Sequence, residues 1–302
     1  MADRHPPIVI FTDDPGWHGK ALKDALAAQG FASIFVSLTA CEIDIAAAQP
    51  VQIPGLEGQP LGAFVRGVPG GSLEQIVQRL DVLHMLKLNG CIVFNSGRVI
   101  ERTVDKSMTS LLLKQAGVAV PKTWITESFT RAGEIAEEVL GTGRNLVKKP
   151  LFGSQGTGIR LLRDINELNY ALPGEIFYLQ EFVARDDGQF KDLRVFVVHD
   201  QAVAAMYRES GHWVTNRAKG AQCVATVLTH EMAEIAVRAA NACGASYAGV
   251  DLIESGNGEW QVLEVNGIPA WQGLQRATGE DITERLVAAF CKEIRSAVDL
   301  SA

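Results

Sequence analysis

The sequence lacks the features of a secreted, disulfide-bonded or membrane-spanning protein. Its five cysteines are scattered and form no Cys-x-x-Cys pair, which argues against a disulfide scaffold or a cysteine-rich zinc site and favours a reducing compartment. No apolar run approaches the roughly 18 residues that a membrane-spanning helix needs, and the N-terminus carries no charged-then-apolar leader. We therefore expect a soluble, cytoplasmic protein with no membrane partner.

Positively charged residues are also fewer than negatively charged ones. The 302 residues include 28 Lys and Arg against 35 Asp and Glu, a net charge of −7. A protein that binds nucleic-acid backbones needs a basic surface, so we expect no nucleic-acid partner, although one local basic pocket for an anionic ligand is compatible with this balance. The content of 29 Gly and 11 Pro is not extreme, which excludes fibrous and low-complexity classes.

The sequence of the first third of the chain predicts a parallel α/β layer that ends near residue 98. The apolar run at 8–11 is typical of a buried strand, and a helical spacing of apolar residues over about 18–29 leads to a second strand at 32–38. Beyond this layer we predict helices at 104–116, 131–140, 230–242 and 281–297, and strands at 146–148, 159–162, 177–180, 193–198, 202–207, 247–253 and 260–265. No internal repeat is visible.

A glycine-rich segment follows one of these predicted strands. It reads Lys149-Pro150-Leu151-Phe152-Gly153-Ser154-Gln155-Gly156-Thr157-Gly158. Small residues let backbone N–H groups approach an anion closely, so the segment could cradle a phosphate beside a lysine; an ordinary glycine-rich turn is the alternative. It is neither a P-loop, because no Gly-x-x-x-x-Gly-Lys-Ser/Thr motif occurs, nor a dinucleotide fingerprint, because a strand follows it.

A predicted hairpin near the C-terminus carries carboxylates on one face. If Ser255 pairs with Gly258, Asp251 lies opposite Val262. Alternation then places Asp251, Glu264 and Asn266 on a shared face, with the two carboxylates as diagonal neighbours. The other face, toward the core, would carry Val250, Leu252, Leu263 and Val265.

This set of oxygens suits Mg²⁺ that bridges substrate phosphates. The alternative is a polar sheet face exposed to water, and a one-residue bulge would break the register.

Three further signals are weak on their own. The segment 180–183 could bond an adenine or ribose at a strand end, and the segment Asp192-Leu193-Arg194 is ambiguous. Arg208 could stabilise phosphate charge by a bidentate bond. On this evidence alone a solvated Glu181 is the better reading, and Arg208 could be a surface arginine. The six histidines show no ligand spacing, and no Ser-His-Asp or Cys-His set can be inferred.

Taken in order, these pieces resemble the ATP-grasp superfamily and, within it, the RimK-like α-L-glutamate ligases. The resemblance runs from about residue 95 to 282 and is carried by Asn95-Ser96, Asp105-Lys106, Gly117-Val118 with Pro121, and the segments 149–158, 180–183, 192–198, 204–208, Asn216 with Gly220, 248–251, 263–266 and 277–279. It implies an α/β and α+β chain: an ATP-grasp fold behind a Rossmann-like N-terminal (pre-ATP-grasp) domain. The implied division is 1–98, 99–185 with a glycine-rich lid, and 186–302 with the metal site.

The resemblance also implies roles for individual residues. The nucleotide would be bound by Lys106, Lys149, Gly153, Ser154, Gln155, Gly156, Gln180, Glu181, Phe182, Val183 and Asp192. The metal would be bound by Asp251, Glu264 and Asn266, while Arg208 and Asn216 would face the transferring phosphate and the acyl group. The implied cofactors are ATP and Mg²⁺, with two ions expected and Mn²⁺ as an alternative metal.

The implied activity is an ATP-dependent carboxylate–amine ligase that forms an amide through an acyl phosphate. The partners would be a small-molecule or cofactor carboxylate, of the tetrahydromethanopterin or another one-carbon carrier kind, and an amino acid, L-glutamate first; a homo-oligomer is left open. A ligase for another amino acid or peptide and a non-catalytic ATP-binding regulator are the alternatives. Ala221, where the family has a second glycine, and Asn266-Gly267-Ile268-Pro269, where it usually ends Pro-Gly, put the substrate in doubt.

Overall fold

The computed structural model describes residues 5–153, 157–168, 174–185, 188–215 and 220–299. The helices are α1 (Gly16–Ala28), α2 (Leu73–Leu88), α3 (Gly97–Val104), α4 (Lys106–Gln115), α5 (Phe129–Leu140), α6 (His230–Cys243), α7 (Gln272–Thr278) and α8 (Ile282–Asp299). The strands are β1 (Ile8–Phe11), β2 (Ser33–Val36), β3 (Glu42–Ile43), β4 (Val51–Gln52), β5 (Gly62–Val65), β6 (Ile92–Phe94), β7 (Thr123–Thr126), β8 (Leu146–Lys149), β9 (Arg160–Leu162), β10 (Phe177–Glu181), β11 (Phe190–Val198), β12 (Gln201–Ser210), β13 (Gln222–Ala225), β14 (Tyr247–Glu254) and β15 (Trp260–Asn266).

Contacts along the chain divide it into two compact units. The N-terminal unit comprises Met1–Glu101, Ala245–Ala248 and Gly267–Ala302, and the central unit comprises Arg102–Gly244 and Gly249–Asn266. The expected division of the sequence at residues 98 and 185 stays a prediction. None of the helices in the described ranges is long and apolar enough to cross a membrane.

The N-terminal unit contains the predicted parallel α/β layer. Four parallel strands lie in the order β2-β1-β5-β6. The strand Ile8–Phe11 is completely buried, as expected for a parallel strand covered on both faces. Helix α2 begins with a capping box. The Ser72 hydroxyl accepts from the backbone N–H of Gln75, and the Gln75 side chain accepts from the backbone N–H of Ser72.

The described residues of the central unit form two sheets. One has the antiparallel order β7-β10-β8-β9, and its core is formed with α5. The other has the order β13-β12-β11-β14-β15 and packs against α6. His199, with a φ of +49°, forms the tight turn between β11 and β12 that the sequence predicts.

The helix predicted at 104–116 is confirmed as α4, Lys106–Gln115, whereas α3, Gly97–Val104, was not predicted. The Asp105 carboxylate accepts hydrogen bonds from the backbone N–H groups of Ser107 at 2.8 Å and Met108 at 3.1 Å. Asp105 is therefore the N-cap of α4, and α3 ends just before it. The short strands β3, β4, β7 and β13 and helix α7 were not predicted, since two to seven residues give too little periodicity.

Candidate active site

The hairpin formed by β14 and β15 departs twice from the predicted register. At its tip, the backbone N–H of Ser255 donates to the Glu259 carbonyl at 2.9 Å, and Gly258 adopts a φ of +81°. Ser255 therefore pairs with Glu259 rather than Gly258, and the loop has three residues. A second shift follows between Asp251 and Leu252, where β15 carries one extra residue.

Because the two one-residue shifts add up to two residues, the side chains beyond them alternate between the faces as predicted. Asp251 lies directly opposite Glu264, and Gly249 opposite Asn266. The predicted pairing of Asp251 with Val262 is wrong, but the two carboxylates and the Asn266 amide still belong to one face of the hairpin, with the carboxylates closer than diagonal neighbours.

The bulge exchanges the roles of two apolar residues. Val262 pairs with Leu252 and is 1% exposed, so it belongs to the core. Leu263 lines a cavity instead. The prediction had these two side chains on the opposite faces and is wrong for both, because an extra residue in a strand reverses the alternation beyond it.

The cavity has a volume of about 310 Å³ and is lined by residues of the central unit alone. Most predicted nucleotide and phosphate residues line it: Lys106, Lys149, Gly153, Gln180, Glu181, Phe182, Val183, Asp192, Arg208, Asp251 and Glu264. Asn266 is not among its lining residues, and Ser154, Gln155, Gly156 and Asn216 lie outside the described residues.

A row of alternating charges forms one side of this cavity. Arg208 donates from Nε and Nη2 to the two carboxylate oxygens of Asp192, both at 2.6 Å, and its Nη2 also lies 2.8 Å from Asp251 Oδ2. Arg194 holds Asp251 from its other side, donating from Nη2 at 3.0 Å and from Nε. These four side chains form a buried ionic cluster in the spatial order Asp192, Arg208, Asp251 and Arg194, which we call the arginine–aspartate row.

Charge and burial shift the acidities in this row. Burial acts to raise the pKa of Asp251, but Arg194 and Arg208 outweigh it and hold the pKa below its usual value. Burial raises the pKa of Asp192 despite Arg208. Burial, followed by the nearby Asp251 carboxylate, raises the pKa of Glu264.

Two lysines supply positive charge around the same cavity. Lys149 Nζ donates to Gln180 Oε1 at 2.7 Å, and burial lowers the pKa of Lys149 to about 8 while Glu264 opposes that shift. Lys106 Nζ donates to the Gly153 carbonyl at 3.1 Å, and burial lowers its pKa as well. Lys106 thus holds the start of the glycine-rich segment.

The carboxylate of Glu181 is already engaged. Arg144 Nη1 donates to both of its oxygens, at 2.7 and 2.8 Å, and Lys122 Nζ lies 3.8 Å away. Glu181 still lines the cavity at the end of β10. Its predicted contact with the adenine end stays a prediction.

The paired carboxylates fit a divalent cation. Asp251 and Glu264 face each other across the hairpin, and their repulsion, which contributes to the raised pKa of Glu264, is what a cation relieves. Their hard oxygen ligands suit Mg²⁺ or Mn²⁺. In the described part of the chain no three His, Cys, Asp or Glu residues are placed so that they could hold a metal ion together. The site would therefore rest on two carboxylates, with Asn266 the third residue of their face.

Sequence reasoning named Arg194 without assigning it a role, and it missed Thr215 and Trp213. Arg194 binds Asp251, Thr215 donates to Asp192 at 2.6 Å, and Trp213 lines the cavity with its ring centroid 6.2 Å from that of Phe182. Arg194 lies two residues from Asp192 on β11 and therefore shares its face; that spacing was a signal. Nothing local to Thr215 or Trp213 marks them.

Comparison with known proteins identifies the family. A family model described as the RimK-like ATP-grasp domain matches residues 103–290. Tetrahydromethanopterin:α-L-glutamate ligase of Methanococcus maripaludis is 34% identical over 232 residues, which cover 74% of this chain and 77% of the relative. The chain belongs to the RimK-like ATP-grasp family. A probable α-L-glutamate ligase of Cellvibrio japonicus is 31% identical over 277 residues, 89% of each chain.

The fold agrees with this assignment. The solved structure of the ATP-grasp ligase PsnB, complexed with a minimal precursor, Mg and ADP, superposes with a TM-score of 0.73 at 21% identity, covering 95% of this chain and 98% of PsnB. The predicted ATP-grasp fold, with both α/β and α+β parts, is confirmed, and the RimK-like chain is an ATP-dependent, amide-forming ligase.

Proposed function

We propose that this RimK-like protein joins a carboxylate of a small molecule or cofactor to the amine of L-glutamate. The observation that carries the proposal is one cavity in which the Asp251–Glu264 pair lies with the cations Lys106, Lys149 and Arg208. In such a cavity the carboxylates can bind the metal ion of a metal–nucleotide complex and the cations can bind its phosphates. The names of the relatives from Methanococcus and Cellvibrio support glutamate, and the first of them supports a pterin cofactor as acceptor.

The chemical problem explains the residue types. A carboxylate is a poor electrophile, so its oxygen first attacks the γ-phosphorus of ATP and ADP leaves. The amine nitrogen then attacks the acyl phosphate carbon, phosphate leaves, and the nitrogen loses a proton as the amide forms. The protein contributes positioning and neutralisation of charge rather than covalent chemistry.

Each group of residues has a proposed task. Lys106 and Lys149, with the segment 153–156, bind phosphates, and the segment 180–183 with Asp192 lies at the nucleoside end. Arg208 and Asn216 face the transferring phosphate and the acyl group. Asp251, Glu264 and Asn266 would hold one or two Mg²⁺ ions, or Mn²⁺, which when bound neutralise phosphate charge. The cytoplasmic location and any homo-oligomer stay predictions.

The test is an ADP-release screen that pairs each amino acid with a panel of carboxylate acceptors, pterin and peptide carboxylates included. Hydroxylamine added in place of the amine should trap the acyl phosphate as a hydroxamate. Release of AMP and pyrophosphate would contradict the acyl-phosphate route. Tight MgATP binding without turnover on any acceptor would favour the non-catalytic regulator, and turnover with another amino acid would correct the donor.

A further inference from the structure

The side chain of Asn95 uses every hydrogen-bonding position that an amide offers. Its Nδ2 donates to the backbone carbonyls of Tyr247 and Gly267, both at 2.7 Å. Its Oδ1 accepts from the backbone N–H groups of Ser246 at 2.7 Å and Tyr247 at 3.4 Å. An amide has two donor hydrogens and two acceptor lone pairs, and Asn95 is fully buried. We call this set of four hydrogen bonds the asparagine clamp.

The asparagine clamp lies at the open end of the hairpin formed by β14 and β15. Tyr247 is the first residue of β14, and Gly267 directly follows Asn266, the last residue of β15. The backbone ladder between the two strands ends at the pair Gly249–Asn266. Beyond that pair, the Asn95 amide joins the two chain segments in place of a further backbone pair. Both segments belong to the N-terminal unit with Asn95, and the chain leads from them directly into the hairpin.

We infer that Asn95 is a positioning residue that, by tying Tyr247 to Gly267, fixes the register of the two strands that carry the proposed metal ligands. The inference rests on the proposed function, because it concerns how those ligands are presented to Mg²⁺. It gives a task to Asn95, which contributes to the family resemblance but has no part in the proposed site.

The bulge explains why the hairpin needs a clamp at its open end. In a regular hairpin the turn sets the register, but here β15 carries an extra residue between the tip and the open end. If β15 paired without the bulge, Leu263 would lie opposite Asp251, and Glu264 would move to the other face.

The asparagine clamp opposes that alternative pairing. Without the bulge, Gly267 would shift by one residue relative to Tyr247, which is about 3.3 Å along a strand. The two hydrogen bonds that Asn95 Nδ2 donates, each 2.7 Å long, cannot both survive such a shift. The clamp therefore favours the register in which the two carboxylates lie opposite each other.

The gain in nucleotide affinity that Mg²⁺ brings measures how well the hairpin presents its ligands. We would measure the Kd of ADP by calorimetry with Mg²⁺ and with EDTA, and take the ratio. We expect Asn95→Ala to lower this ratio about tenfold, as for loss of a group that orients metal ligands, while the Kd of metal-free ADP stays within about threefold. An unchanged ratio in the folded variant would overturn the inference.

Two further variants separate positioning from stability and from packing. Leu26→Ala removes a buried side chain from α1 of the same unit and should lower the unfolding temperature with the ratio unchanged. Asn95→Leu fills nearly the same volume without the hydrogen bonds and should lower the ratio as Asn95→Ala does. A ratio that falls in Leu26→Ala, or that recovers in Asn95→Leu, would contradict a role through the clamp.

Hydrogen exchange in the wild-type protein tests the same coupling even where Asn95→Ala does not fold. If the clamp holds the metal ligands in register, bound Mg²⁺ must by reciprocity hold the clamp. Adding Mg²⁺ to the ADP complex should therefore slow exchange of the Ser246 amide by about fivefold or more, with exchange of the Val9 amide in the same unit unchanged. Exchange at Ser246 that does not respond to Mg²⁺ would overturn the inference.

Failure of the proposed function is distinguishable from failure of this inference. A wild-type protein that binds MgADP but releases no ADP from ATP with any acceptor would contradict the proposed function. The affinity ratio and the Ser246 exchange would still decide the role of Asn95, because neither depends on turnover. No gain in affinity from Mg²⁺ in the wild-type protein would contradict the metal site and, with it, this inference.

Discussion

Glu264 is a carboxylate placed against another carboxylate, and its charge is costly without a cation. Burial and Asp251 raise its pKa, so the folded state releases this proton less readily than the unfolded chain does. The cost is therefore absent at a pH below about 4, where Glu264 is protonated in both states, and grows as the pH rises through the unfolded-state pKa. At neutral pH this burial and repulsion of the Glu264 charge destabilises the metal-free protein.

Replacing Glu264 by Gln should therefore have opposite effects on stability and on activity. Without metal, we expect Glu264→Gln to raise the unfolding temperature relative to wild type at pH 8, with a smaller difference at pH 4. Mg²⁺-dependent ADP release should fall by about 10²-fold or more, since a proposed metal ligand is lost. Thermal melts at both pH values and a turnover assay check this; near-normal turnover by the folded variant would remove Glu264 from the site.

If Lys149 binds phosphate as proposed, nucleotide binding should depend on pH. With its pKa lowered to about 8, Lys149 is largely neutral at pH 9 in the free protein. A bound triphosphate favours the charged form, so MgATP binding should take up a fraction of a proton at pH 9 and close to none at pH 6.5. Calorimetry in two buffers with different ionisation enthalpies measures this uptake.

The variants for this experiment are Lys149→Met and, as the matched control, Lys114→Met on the exposed face of α4. Uptake should shrink in the first and persist in the second. The same uptake in both variants would mean that another group, such as Lys106, carries the titration.

At the scale of the element, the bulge in β15 decides which apolar side chain belongs to the core and which to the cavity. Val262→Ala should destabilise the protein by about 2 kcal/mol, because it removes buried methyl groups and leaves a void, with the MgATP affinity unchanged. Leu263→Ala should weaken MgATP binding several-fold and cost less stability, since Leu263 lines the cavity.

Urea unfolding and calorimetry on the two variants distinguish the bulged hairpin from a regular one. The opposite pattern, in which Leu263→Ala is the more destabilising and Val262→Ala weakens nucleotide binding, is what a regular hairpin predicts.

At the scale of the whole molecule, the cavity belongs to the central unit alone. A ligand that binds only the folded form lowers the population of states in which its site is unfolded, and so protects the amides that those states expose. We expect MgATP to slow hydrogen exchange at the buried amides of Leu179 and Val195 in the central unit. The amides of Val9 and Phe64 in the N-terminal unit should exchange at their former rates.

Hydrogen exchange resolved by residue, with and without MgATP, checks this expectation. Equal protection of all four amides would mean that the two units unfold as a single cooperative body.

The sequence alone determined the features that depend on local patterns. A fully apolar run at 8–11 can only be buried on both faces, which predicts the parallel sheet. Strand alternation has a period of two, so Asp251, Glu264 and Asn266 could be assigned to one face. That assignment holds because the two one-residue shifts in the hairpin together restore parity. The order of the motifs was enough to predict the family that comparison confirms.

Only the tertiary structure decided the partners of the charges. Asp192 and Arg208 are 16 residues apart, and Arg194 and Asp251 are 57 apart, so strand pairing, which no local pattern encodes, brings them together. The placement of Val262 and Leu263 likewise depends on a bulge that no local pattern encodes. Periodicity determines which face of a strand a side chain occupies. The charged residue that lies opposite it on the neighbouring strand is determined by the register, and the register is a property of the whole fold.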